Sequence, residues 1–157
     1  DGKIEVGDHE EAEEVIAMEP FGMNAVEGAY EGAIAAAAEA ISAASESIAA
    51  VSEASAFKHG TDAFFEAIVL AIPLRVDADD SYNQASECLK DLENGMEQLF
   101  GFYNFAISMK APSYVINGVI ADIQKGKFLL NLTRFEVSKA EDAKGDALVK
   151  YLEVMFR

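Results

Sequence analysis

The chain has 157 residues, the usual size of one domain, and is long enough to bury roughly 70% of the surface its unfolded form exposes. Half of it (51%) is hydrophobic while the formal net charge is -16, so apolar and acidic residues must be segregated; the first 60 residues alone hold 13 acids against 2 bases. A field of that sign repels phosphate backbones and anionic headgroups, which excludes nucleic acid as the expected partner. The absence of any uninterrupted run of 18 apolar residues argues against an integral membrane protein.

Cys88 is the only cysteine, so an intramolecular disulfide and a multi-cysteine zinc site are both ruled out. The first residue is Asp1 rather than Met, which leads to the expectation of a processed mature chain or an excised domain, secreted or lumenal rather than cytoplasmic. Asn131-Leu132-Thr133 fits the glycosylation acceptor triplet, a pattern common by chance.

In chain order, Asp8 and Glu11 predict the cap of a short acidic helix that Pro20 ends, within an acidic segment 1–20 that packs on or extends from the rest. Next comes an Ala- and Ser-rich stretch. Its Tyr30, Ile34, Ala37, Ile41, Ala44, Ile48 and Val51 alternate steps of four and three, a heptad seam that predicts a long helix over about 24–57. Glu39, Glu46 and Glu53 recur at seven on the opposite side. Gly28, Gly32, Ala36, Ala40 and Ala44 form a small-residue row along which another backbone can approach closely, within the molecule or across a self-association face.

Thr61 is placed to cap a shorter helix carrying Phe64, Phe65, Ile68, Val69 and Ile72 on one face, with Pro73 as its end. Asp79 or Asp80, with Ser81 and Gln84 as a capping box, predict a fresh start. From there a second heptad seam (Tyr82, Ala85, Leu89, Leu92, Met96, Leu99, Tyr103, Ala106) predicts a long helix over about 81–109, which Pro112 stops. Ser113 opens another helix with Val115, Ile116, Val119, Ile120 and Ile123, which Gly126 breaks or bends. Ser138 and Glu141 read as the capping box of a last helix with Ala147, Leu148, Tyr151, Leu152 and Met155. The expected fold is therefore all-α: one domain spanning 1–157, a bundle of five or six helices, two of them long and heptad-patterned.

Motifs for chemistry fail on inspection. "DHEEAEE" lacks the second His of a zincin, and the His9 and Glu13 spacing reads more simply as an acidic first turn. "DADDSYNQASEC" starts like a calcium loop but puts Tyr82 where Gly is required and Cys88 where the bidentate Glu belongs. "QKGKFLL" lacks the glycines and the Ser or Thr of a phosphate loop. Cys88 beside a seam, with His59 elsewhere, makes a poor nucleophile and base. No metal ligand set, cofactor motif or catalytic group is assigned, and a noncatalytic role is expected.

What remains is surplus hydrophobicity. "FFEAIVLAI" and "LFGFYNFAI" are apolar beyond what one seam needs, and so must be covered on several sides. Phe64, Phe65, Phe100, Phe102, Phe105 and Phe128 are the candidate residues for an interface or an apolar pocket, and Gly28, Gly32, Ala36 and Ala40 for close packing. The expected function is an interaction or structural module that joins a protein partner, a second copy of itself or a larger assembly. The alternative is a carrier holding a lipid or other apolar small molecule between helices.

Overall fold

The computed structural model describes residues 19–157. It is all-helical, as expected, but there are three long helices rather than five or six among the described residues: α1 (Glu19–Ala54), α2 (Asp62–Ser108) and α3 (Ser113–Met155). The acidic helix proposed around Asp8 and Glu11, and the His9 and Glu13 pair, lie outside the described residues. Pro20 stands in the first turn of α1, where its missing N–H has no partner to lose.

Two predicted breaks are absent because the packing pattern runs through them. In α2 the residues Phe64, Ile68, Ala71, Arg75, Ala78, Tyr82, Ala85, Leu89, Leu92, Met96, Leu99, Tyr103 and Ala106 keep alternating steps of four and three without a slip, and all are buried or half-buried. Pro73 lies inside this helix on its exposed side. There it leaves the Val69 carbonyl without its helical donor, next to an exposed side chain where water can serve. Losing that bond and bending the helix costs about 3 kcal/mol. Burying Phe64 and Ile68 on one side of Pro73 returns roughly 1.5–3 kcal/mol for each. The continuous seam wins.

The capping residues proposed after Pro73 have other work. Asp79 faces Lys144 at 3.8 Å, and Ser81 is half-buried within the helix. In α3, Ser138 and Glu141 are exposed mid-helix residues. Gly126 is buried against the Met96 sulfur, so it marks a close approach of α3 to α2 rather than a break. Thr61 does cap as predicted: its hydroxyl accepts from the Phe64 N–H at 3.3 Å. Ser113 is the first residue of α3, with the Pro112 carbonyl accepting from Val115 and Ile116.

Ala37, Ala44 and Val51 of the predicted α1 seam are at the centre, but its isoleucine positions lie one residue off it. Fully buried positions are Val26, Ala33, Ala37, Ala40, Ala44, Ser47, Val51 and Ala54, while Ile34, Ile41 and Ile48 are half-buried beside them. Small residues thus sit at the centre. The Ser47 hydroxyl donates to the Ala71 carbonyl across the α1–α2 contact at 3.4 Å, which satisfies a polar group with no exposure.

The chain divides into two compact units: unit 1 comprises 19–31 with Leu89–Leu132, and unit 2 comprises Gly32–Cys88 with Thr133–Arg157. Unit 1 packs Met23, Val26, Leu92, Met96, Leu99, Val119, Ile123 and Leu129, with Tyr30, Phe102 and Tyr103 against them. Unit 2 holds an alanine layer of Ala44, Ala78 and Ala147, and a second cluster of Val51, Phe64, Ile68, Ala71 and Val154. By length and composition α1 is apolar enough to cross a membrane (Gly22–Ala54, mean hydropathy 1.4), even though no uninterrupted apolar run exists. Alanine raises that average, and the buried alanine face is the one that packs on α2 and α3 within unit 2.

Candidate interaction face

Unit 2 carries an apolar surface that its own core does not use. Along α2, Phe65, Val69, Ile72 and Val76 repeat the four-three-four step of the core seam, one residue out of phase with Phe64, Ile68, Ala71 and Arg75. They are 45%, 57%, 44% and 51% exposed. On α3, Leu148 and Leu152 are 42% and 43% exposed. Contacts of α2 with α3 fix the register. The Arg75 guanidinium lies over the Tyr151 ring at 4.6 Å, and Lys144 pairs with Asp79 while covering the Tyr82 ring at 4.7 Å. This antiparallel register brings Leu152 and Leu148 to the level of Ile72 and Val76 on the neighbouring helix.

The two helices are held firmly beneath this face. His59 Nε2 lies 2.9 Å from the Met155 carbonyl, and the Arg157 guanidinium donates to the carbonyls of Ser55 and Phe57 at 3.0 and 3.4 Å. The end of α3 is thereby pinned to the connection between α1 and α2. Phe64 sits under the same region, fully buried, with its ring 4.7 Å from His59 and edge-on to Phe65 at 5.5 Å. The scaffold is built before anything docks on it.

The start of the face is acidic. A shallow depression at its start is lined by Asp62, Phe65, Glu66 and Val69, so acid and apolar groups share one concavity. Over residues 62–80 the acids Asp62, Glu66, Asp77, Asp79 and Asp80 stand against a single base, Arg75, which is spent on Tyr151. On α3 the exposed acids are Glu141, Asp142, Asp146 and Glu153. A separate cleft of unit 2 is lined by Glu39, Ser42, Ala43 and Glu46 of α1 and Leu74, Asp77, Asp80 and Ser81 of α2. Among the described residues no group of three His, Cys, Asp or Glu is arranged to hold a metal.

The sequence-derived candidates divide between the units. Phe64 and Phe65 belong to unit 2, one in the core and one outside it. In unit 1, Phe102 packs on the core near Gly22, Phe105 is half-buried, Phe100 is 40% exposed with the Lys127 ammonium 5.6 Å from its ring, and Phe128 is 63% exposed. Of the small row, Ala36 and Ala40 are buried, Gly32 faces the Cys88 sulfur, and Gly28 is exposed with open space around it. Asn131 is exposed in the middle of α3 while Thr133 is fully buried, so the folded helix does not offer the triplet as an acceptor.

Sequence reading misses Val76, and it counts Phe65, Val69 and Ile72 on the same face as Phe64 and Ile68. The signal is present all the same: two interleaved rows at a spacing of 3.5 imply two apolar faces, only one of which a three-helix core can bury.

One carboxyl pair stands out in unit 1. Burial, then a hydrogen bond and charge repulsion from Asp122, push the Glu19 carboxyl up to about 7. Nearby, Lys125 Nζ donates to Glu27 at 2.6 Å, which raises the lysine above its ordinary value. Comparison with family models, with curated proteins and with solved structures returns no match for this chain.

Proposed function

We propose that the protein acts without catalysis, as an interaction module that takes a protein partner against the α2–α3 face of unit 2 and so serves as a subunit of an assembly. The observation that carries this reading is the second apolar row of α2, Phe65, Val69, Ile72 and Val76, exposed at core-like spacing beside Leu148 and Leu152. Side chains in such a row are the anchors of helix-on-helix recognition. The carrier reading draws no support of its own, since the aromatic side chains suggested for its wall belong to two units.

Replacing Val69 and Ile72 together by Gln tests the reading. Expected are an unchanged urea midpoint, because neither residue belongs to the core, and a clear drop in binding of an apolar, environment-sensitive dye. A loss above about 1 kcal/mol for each substitution marks the row as structural and defeats the proposal.

A further inference from the structure

We infer that the occupant of this face is an amphipathic helix of another protein whose apolar seam is flanked by Lys and Arg, rather than a second copy of this chain. The inference rests on the interaction reading above and adds the chemistry of the partner. The apolar row from Phe65 to Val76 rises about 17 Å along α2, the length of three helical turns. Its spacing matches the i, i+4, i+7 anchors of a helix, and Leu148 and Leu152 are exposed on α3 at the level of Ile72 and Val76.

Charge selects among helices. Asp62 and Glu66 share the depression with Phe65 and Val69, and Glu141, Asp142 and Glu153 are exposed on α3. Of the bases of the region, Arg75 lies on Tyr151 and Lys144 on Asp79 and Tyr82, and Lys150 of α3 is half-buried. A second copy docked on the same face would bring acid against acid in a molecule of net charge -16. A helix with basic flanks would meet opposite charge at Asp62 and Glu66, and that complementarity sets partner choice and speeds encounter.

The probe is a synthetic 18-residue peptide with Leu at the a and d positions of a heptad and Lys elsewhere, titrated by fluorescence anisotropy into the intact 157-residue chain. Two control peptides accompany it, one with Glu replacing Lys and one with the Leu/Lys sequence scrambled. The expected result is 1:1 binding of the Leu/Lys helix, weakened about tenfold or more both by Val69→Gln with Ile72→Gln and by Asp62→Asn with Glu66→Gln. The Glu helix should not bind, and the scrambled peptide should bind without sensitivity to the apolar substitutions. Equal binding of the ordered and scrambled peptides, or indifference to Val69→Gln with Ile72→Gln, reduces the effect to bulk charge and overturns the inference. Sedimentation of the protein alone covers the other occupant: a concentration-dependent dimer abolished by the same double substitution assigns the face to a second copy and overturns the inference as well. In either case an unchanged urea midpoint and a reduced dye signal leave the interaction face itself standing, so the two proposals fail separately.

Discussion

Unit 1 closes on Leu92, Met96, Leu99 and Ile123, whereas the middle of unit 2 closes on Ala44, Ala78 and Ala147, one alanine from each of the same three helices. Side-chain size at the contact sets how near two helices come. Leucine and methionine gain transfer free energy by leaving water, and lose it when truncated. Alanine gains little that way but lets backbones meet, and leaves no room for anything larger. The two units should therefore fail in opposite directions.

The largest effect expected is from Leu99→Ala in unit 1. Leu99 has no exposure and belongs to the main cluster, so truncation should cost about 3–4 kcal/mol, read from urea denaturation. The reverse experiment in unit 2 is Ala78→Leu. Inserting three heavy atoms where Ala44 and Ala147 already touch should destabilise by about 2–3 kcal/mol. A neutral Ala78→Leu would mean that the alanine layer is loosely packed, and the contrast between the units would collapse.

The legible part of this fold is its periodicity. The seam from Tyr82 to Ala106 is readable because Leu, Met and Tyr mark it, and the same phase continues back through Ala78, Ala71, Ile68 and Phe64. It is hidden at Pro73 because a proline and the run Asp77, Asp79, Asp80 and Ser81 form a strong local stop signal, which long-range packing overrides. In α1 the expected seam is right at Ala37, Ala44 and Val51 and one residue off at its isoleucines, since Ile34, Ile41 and Ile48 outweigh Ala33, Ala40 and Ser47 in any hydropathy count. Space, not hydropathy, puts alanine at the centre there. Of the candidate face, Phe65, Val69 and Ile72 stand out in the sequence as apolar surplus, but their outward orientation depends on which neighbours α2 meets, and one sequence does not contain that.

A third test uses pH and belongs to unit 1. The folded state keeps the Glu19 proton up to about pH 7, while an unfolded glutamate releases it near 4.5. Between those values the folded state binds more protons, so stability falls as pH rises through that window and levels off above it. The full shift would correspond to about 3.4 kcal/mol, and solvent screening of a carboxyl that is only partly buried reduces the expected loss to about 1–2 kcal/mol. Glu19→Gln, which can still donate to Asp122, should remove most of this slope and raise stability at pH 7.5 by a similar amount. Urea midpoints at pH 5 and 7.5 for both proteins decide; parallel profiles would show that the slope arises elsewhere.

The smallest effects compare the two connections. In unit 2 the chain turns from α1 to α2 through Gly60, whose φ of 89° suits glycine and strains any other residue. In unit 1 the turn from α2 to α3 places Lys110 at a φ of 53°. The Ala111 N–H there bonds the Ala106 carbonyl at 2.9 Å and the Lys110 N–H bonds the Ile107 carbonyl at 3.1 Å, the pair of contacts that closes a helix with a left-handed residue. Glycine is the usual occupant of that position, and a lysine there carries about 1–2 kcal/mol of backbone strain. Relief of that strain is partly offset by the greater freedom of glycine in the unfolded chain, so Lys110→Gly should stabilise by about 0.5–1 kcal/mol. Gly60→Ala should destabilise by about 1 kcal/mol, although no atom lies within 4 Å of the added methyl, because the backbone alone opposes it. Opposite signs from two exposed turn positions, read as shifts in urea midpoint at unchanged slope, would isolate conformation from packing. A loss of stability in Lys110→Gly would instead show that the lysine side chain contributes more than its backbone costs.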